Sequence, residues 1–174
     1  MTKVVVMGVA GSGKSMLAQR LAAQLGCTML EGDQFHLPAS QDKMRAGIPL
    51  DDADREPWLA RLGDLMGSGS QDVVLACSAL KRKYRDLLRS HVPGLRFVYI
   101  EIDVHTAAKR VESRSGHLFP KSLVTSQFAA LESPVGEEGV FEVSALLASE
   151  AQVEAVCRWL STSPSEISDT RSLH

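Results

Sequence analysis

The sequence predicts an α/β fold: a parallel five-stranded sheet with helices on both faces, three layers in all. Three observations carry this expectation. Short apolar runs at 4–7, 27–30, 73–77, 97–102 and, more weakly, 140–143 have the length and composition of fully buried strands. Segments of helical period separate them, so strand and helix alternate along the chain. The first run also leads into a glycine-rich turn that opens a helix, at the strand end where sheets of this kind collect ligands.

The helices follow in order. Met16, Leu17, Leu21 and Leu25 recur at helical spacing, with Ala18 and Ala22 beside them. Trp58, Leu59, Leu62, Leu65 and Met66 share the face of a second helix, with Asp51 and Asp54 as caps. Pro57 is expected in its first turn, the one place where a missing N–H costs nothing, and Gly67-Ser68-Gly69-Ser70 stops it. Leu80, Tyr84, Leu87 and Leu88 line a helix at 81–89 that Pro93-Gly94 ends. Ala107, Ala108 and Val111 predict another at 104–114; Leu123, Phe128 and Leu131 carry a further one that Pro134 terminates, and a last one covers 151–160. Beyond it the chain is rich in Ser and loses its apolar period, so residues 1–161 read as one domain and 162–174 as a mobile tail.

Composition narrows the function classes. The length of 174 residues suits a single domain with its own core, and the apolar share of 44% and charged share of 23% are those of a globular protein. A net charge of −2 argues against a nucleic-acid or membrane surface. No apolar run approaches the roughly 18 residues of a membrane span. No cleavage-site pattern precedes the first strand, so a cytoplasmic location is expected. Cys27, Cys77 and Cys157 are odd in number and unclustered, which fits reduced, buried thiols.

The chemistry begins at Gly8-Val9-Ala10-Gly11-Ser12-Gly13-Lys14-Ser15, which matches the P-loop pattern G-x-x-x-x-G-K-[ST] at every fixed position. The glycines let successive N–H groups converge on phosphate oxygens, and the following helix points its positive end at the same anion. Lys14 supplies a charge for the β- and γ-phosphates, and the Ser15 hydroxyl is placed to ligate Mg²⁺. An ATP site is therefore expected. The chain contains no Asn, so the guanine-reading N-K-x-D pattern cannot exist. It is also too short for the extra elements of motor and AAA-type ATPases. A small α/β domain with a mid-chain helical insertion and an Arg-rich late segment instead resembles the nucleoside-monophosphate-kinase-type small kinases, which implies a P-loop core with a helical acceptor insertion and a lid.

Three further stretches fix a closer resemblance. Leu30-Glu31-Gly32-Asp33-Gln34-Phe35-His36 follows the second strand, a long segment from Lys43 to Leu59 comes next, and Cys77-Ser78-Ala79-Leu80-Lys81-Arg82-Lys83-Tyr84-Arg85-Asp86 ends the third strand. With Arg114-Ser115-Gly116-His117-Leu118-Phe119 and Gln127-Phe128 downstream, this combination closely resembles the small bacterial gluconokinases. The resemblance implies transfer of the ATP γ-phosphate to the 6-hydroxyl of D-gluconate. Family members are commonly dimers, and no stretch here identifies the contact.

On these positions Asp33 can orient the acceptor hydroxyl and take its proton, or reach Mg²⁺ through water; a turn-capping Asp is the plainer alternative. Gluconate carries a carboxylate and a row of hydroxyls, so its pocket needs cations in fixed geometry. Arg55, Lys81 and Arg85 are the expected cations, with His36, Lys43, Ser78 and Tyr84 in support. For Arg82, Lys83 and Arg89 a solvated helix face is the better reading, and Trp58 is expected to be core. The resemblance makes the segment around Arg110, Arg114, Gly116 and His117 the lid, with Arg110 and Arg114 bringing guanidinium groups to the transferring phosphate. Residues 136–149 depart from the family pattern, so no adenine-side contacts carry over. Shikimate kinase is the nearest alternative enzyme, although Cys77-Ser78-Ala79 stands where it would have Gly-Gly-Gly. An ATP-binding regulatory module is the alternative from another class.

Overall fold

A computed structural model describes residues 1–115 and 121–162, with the side chains of Ser115 and Lys121 outside that description. Gly116 and His117 fall outside it, as does the expected tail apart from Thr162. Five strands form one sheet: β1 (Lys3–Met7), β2 (Thr28–Glu31), β3 (Val73–Ala76), β4 (Arg96–Glu101) and β5 (Val140–Ser144), in the spatial order β2-β3-β1-β4-β5. Every neighbouring pair is parallel, as a sheet fed by helical crossovers requires. The helices are α1 (Lys14–Leu25), α2 (Pro38–Arg45), α3 (Asp52–Gly67), α4 (Arg82–His91), α5 (Val104–Ser115), α6 (Lys121–Ala130) and α7 (Ser149–Ser161).

The strands sort their side chains to two faces with a period of two. Val4 and Val6 of β1, Val74 of β3, and Val98 and Ile100 of β4 pack with Leu17, Leu21, Ala107, Val111 and Val156, which places α1, α5 and α7 on one face. Val5, Met7, Leu75, Phe97 and Tyr99 pack with Trp58, Leu59, Leu62, Met66 and Leu88, which places α3 and α4 on the other. The three layers expected from the alternation are present.

Several local expectations need correction. β2 is not fully buried, because it lies at the sheet edge and pairs only with β3. Met16 and Leu65 are 47% and 39% exposed, at the rim of their helix faces. Pro57 lies inside α3 and not in its first turn, since Asp51 caps that helix and exchanges hydrogen bonds with Asp54 in a capping box. An internal proline costs about 3 kcal/mol. Burial of Trp58, Leu59, Leu62 and Met66, at roughly 1.5–3 kcal/mol for each large apolar side chain, outweighs it. Helix α2 carries no apolar period and buries only Ser40, so periodicity could not reveal it; Pro38 at its first turn was the available signal.

Candidate active site

The carboxyl ends of β1, β2 and β3 bring three loops together. The P-loop joins β1 to α1, and its Gly8 N–H donates to the Ser78 carbonyl beyond β3 at 3.3 Å. Gly11 has φ +82°, and a Cβ there would lie 2.6 Å from the Ala107 carbonyl of α5. Gly13 caps α1 with φ +101°, a left-handed conformation that suits glycine. Two of the loop amides already hold the turn: Ser12 N–H donates to the Val9 carbonyl at 3.2 Å and Ala10 N–H to Gln127 Oε1 at 2.7 Å. The first turn of α1 leaves the N–H groups of Lys14 and Ser15 without intrahelical partners, free for an anion.

Lys14 reaches back to the Val9 carbonyl, 3.1 Å from Nζ. Burial lowers its pKa, opposed by the charges of Asp33 and Glu31. Asp33 sits in a single 3-10 turn, Gly32–Phe35, directly after β2. Its carboxylate is held below the usual range by contact with His36, against some burial, and then by Lys14 and Arg55. The Cys77 thiol, buried within the same charge group, is pushed up to about 12 and stays protonated. Lys14 and Arg55 thus both lie within electrostatic reach of Asp33, two cations about one carboxylate.

His36 supports that carboxylate from beneath. Its ring stacks on Trp58 with centroids 4.0 Å apart, and its Nε2 lies 3.8 Å from Asp33 Oδ1. Trp58 in turn donates from Nε1 to the Gly32 carbonyl at 2.8 Å, which locks the turn. At 2% side-chain exposure His36 meets the cleft only through Asp33.

The expected acceptor residues separate into three groups. Arg55 lies over the Tyr84 ring at 5.8 Å, within electrostatic reach of Asp33, and Ser78 is partly exposed at the end of β3. Lys81, Lys83 and Tyr84 all donate to Asp52, at the start of α3, and hold its carboxylate below the ordinary range. Lys43 spans Asp54 with 2.8 Å to each oxygen. Arg85 must be corrected outright. It is fully buried and donates to both oxygens of Glu137 and to the carbonyls of Ala79, Leu80 and Glu132. With all five N–H groups engaged it has nothing left for a substrate. Its task is the turn at Ala79, whose φ of 44° is the one positive value at a non-glycine position among the described residues.

Arg110 Nη2 donates to the Ala145 carbonyl at 2.9 Å, and Nη1 lies 3.5 Å from the Gly11 carbonyl, so it ties α5 to the P-loop and to the turn after β5. With Arg114, Ser12, Gly13, Met16 and Leu147 it lines a cavity of about 380 Å³. Sequence reasoning missed the 145–152 wall of this cavity, because neither motif nor charge marks it. Gln127, which carries part of the family resemblance, had no expected role at the P-loop. A larger groove of about 740 Å³ runs between α1 and α7, but its Arg20–Glu150 and Arg158–Glu154 pairs satisfy one another.

A family profile described as an AAA domain matches residues 4–134, which begins at β1 and takes in the three site loops. The chain is 46% identical to the gluconokinase of Gluconobacter oxydans (strain 621H) over 144 residues, 81% of each protein. It is 42% identical to the thermosensitive gluconokinase of Escherichia coli (strain K12) over 137 residues, covering 77% of this chain and 73% of the relative. The crystal structure of a gluconokinase from Sinorhizobium meliloti 1021 superposes with a TM-score of 0.81 at 38% identity, over 92% of this chain and 98% of that one. Identity at this level, over this share of the chain, makes this protein a member of the gluconokinase family of P-loop kinases.

Proposed function

We propose that this chain transfers the γ-phosphate of ATP to the 6-hydroxyl of D-gluconate, giving 6-phospho-D-gluconate and ADP. The observation that carries the reading is the convergence of Lys14, Asp33 and Arg55 beside a P-loop, in a chain of this family. A phosphate cradle alone would serve any nucleotide-binding protein. A carboxylate and a second cation facing it suit an anionic acceptor that carries a hydroxyl.

The loop amides and Lys14 hold the β- and γ-phosphates. Arg55 pairs with the gluconate carboxylate, since Lys43, Lys81 and Tyr84 already serve α3 carboxylates and Arg85 is internal. Asp33 orients the 6-hydroxyl toward the phosphorus. As the oxygen–phosphorus bond forms and the bond to the ADP oxygen breaks, the hydroxyl proton passes to Asp33. A carboxylate held at low pKa is a weak base, and a loose phosphoryl-transfer transition state asks little activation of its nucleophile. Orientation is therefore its larger contribution. Arg110 and Arg114 stand on the nucleotide side, where planar guanidinium groups can balance charge on the transferring group, and the cavity they share with Met16 and Leu147 suits the base.

The residues present fit Mg²⁺. Among the described residues no group of three or more His, Cys, Asp or Glu forms a cage for a metal ion. A single exposed hydroxyl at Ser15 is the donor expected of a cation that arrives with the nucleotide phosphates, and Asp33 can reach it through water. Bound there, the ion would neutralise phosphate charge.

ADP release from purified protein, measured against D-gluconate, other sugar acids, shikimate and nucleoside monophosphates, tests the reading. Turnover with gluconate well above every other acceptor is expected. Preference for shikimate or a nucleotide, or slow ATP hydrolysis indifferent to every acceptor, would refute it.

A further inference from the structure

The P-loop is held by more than its own strand and helix. Ala10 N–H donates to Gln127 Oε1 at 2.7 Å, across 117 residues of chain. Where α6 ends, Glu132 makes three bonds to the loop after β3 and to α4, which follows it: its N–H donates to the Leu80 carbonyl at 2.9 Å, its carboxylate accepts from Arg82 N–H at 2.6 Å, and its carbonyl accepts from Arg85 at 3.1 Å. Leu131 N–H bonds back to the Gln127 carbonyl at 3.0 Å, so the two anchor points lie on one continuous hydrogen-bonded segment.

The orientation of the Gln127 amide follows from its partner. A backbone N–H requires an acceptor, so only Oε1 can face Ala10. That bond fixes the turn that precedes Gly11 and, with the Ser12 to Val9 bond, sets the shape in which the remaining loop amides meet an anion. A site already held in its binding shape does not spend binding energy on ordering itself.

We propose that Gln127 is a positioning residue of the phosphate cradle: through Ala10 it preorganises the P-loop for nucleotide, and through 131–132 it keeps that loop in register with the acceptor-side loop after β3. The proposal rests on the kinase reading for its turnover assay only. It concerns nucleotide affinity and needs no acceptor.

The test uses the full chain and three variants. Gln127→Met keeps the length and removes the acceptor, Gln127→Ala removes both, and Gln127→Glu keeps an acceptor while adding charge near the phosphates. In the Met and Ala variants ADP binding, read by calorimetry, should weaken about three- to tenfold, the effect of one neutral hydrogen bond. KM for ATP should rise in parallel, with KM for gluconate changing less than about twofold. Amide exchange at Ala10 should quicken in the Met and Ala variants and stay slow in Gln127→Glu, while the rest of α6 keeps its protection. Unchanged ADP affinity in a folded Met or Ala variant, unchanged Ala10 exchange, or equal losses for ATP and gluconate would overturn the proposal. Wild-type protein that binds ADP yet ignores gluconate would overturn the functional reading alone and leave this one standing.

Discussion

Arg85 and Glu137 face one another as a two-pronged pair inside the protein, the arginine wholly buried and the glutamate one-tenth exposed. The pair fixes the left-handed turn at Ala79 and so the loop on which Ser78 stands. An arginine at this position in the sequence invited a substrate role, and its geometry gives it a structural one.

Removing it should therefore be read in stability. Arg85→Met leaves Glu137 with Arg89 as its remaining cation and removes one donor from each of three carbonyls, of which Leu80 keeps the Glu132 N–H. We expect a loss of about 3 kcal/mol, the low end for a broken buried pair because Arg89 stays. For a chain of this size that is a fall in Tm of about 6–12 °C by calorimetry. A variant that melts like wild type and loses only gluconate affinity would return Arg85 to the substrate.

The same pair has a pH signature. Burial would push the Glu137 carboxyl up, but bonds from Arg85 and Arg89 outweigh it and hold the pKa below its ordinary 4.5. A depressed folded pKa contributes stability that is complete above the unfolded value and disappears as pH falls through the folded one. The stability gap between wild type and Glu137→Gln should stay constant from pH 8 to pH 5 and narrow below about pH 4. A gap that widens on acidification would contradict the assignment.

Asp33 should behave likewise in catalysis. Because His36, Lys14 and Arg55 lower its pKa, it is ionised throughout the neutral range, and kcat/KM should be level from pH 8 to pH 5. An acid limb between pH 5 and 7 that moves in Asp33→Glu would show a raised pKa instead.

Arg55→Ala should raise KM for gluconate about tenfold or more, the usual worth of a hydrogen bond to a charged group, with KM for ATP nearly unchanged. Equal effects on both substrates would remove Arg55 from the acceptor site.

Gly11→Ala places a methyl 2.6 Å from the Ala107 carbonyl in a conformation that L side chains rarely adopt. Nucleotide binding should fall at least tenfold, because backbone cannot yield as a flexible side chain can. ADP affinity equal to wild type would show that the loop and α5 are not locked together there.

The parts legible in the sequence were those with a local physical cause. The P-loop, the buried strand at Val4 to Met7 and the cap drawn from Asp51 and Asp54 follow from local pattern alone. Helix α2 was silent because its polar face turns to solvent almost all round. The fate of Arg85 and the bond from Gln127 to Ala10 were illegible for a different reason. Each depends on a partner 52 or 117 residues away, and charge or amide type does not reveal which partner the fold supplies.

The most direct test of the account is product analysis with Asp33→Asn beside wild type. We expect wild-type protein with Mg²⁺-ATP and D-gluconate to give a phosphate ester at O6 by ³¹P and ¹³C NMR, and the folded Asp33→Asn variant to bind ADP normally while turning over at least a hundredfold more slowly. Phosphorylation at another oxygen, or near wild-type turnover in that variant, would contradict the central claim.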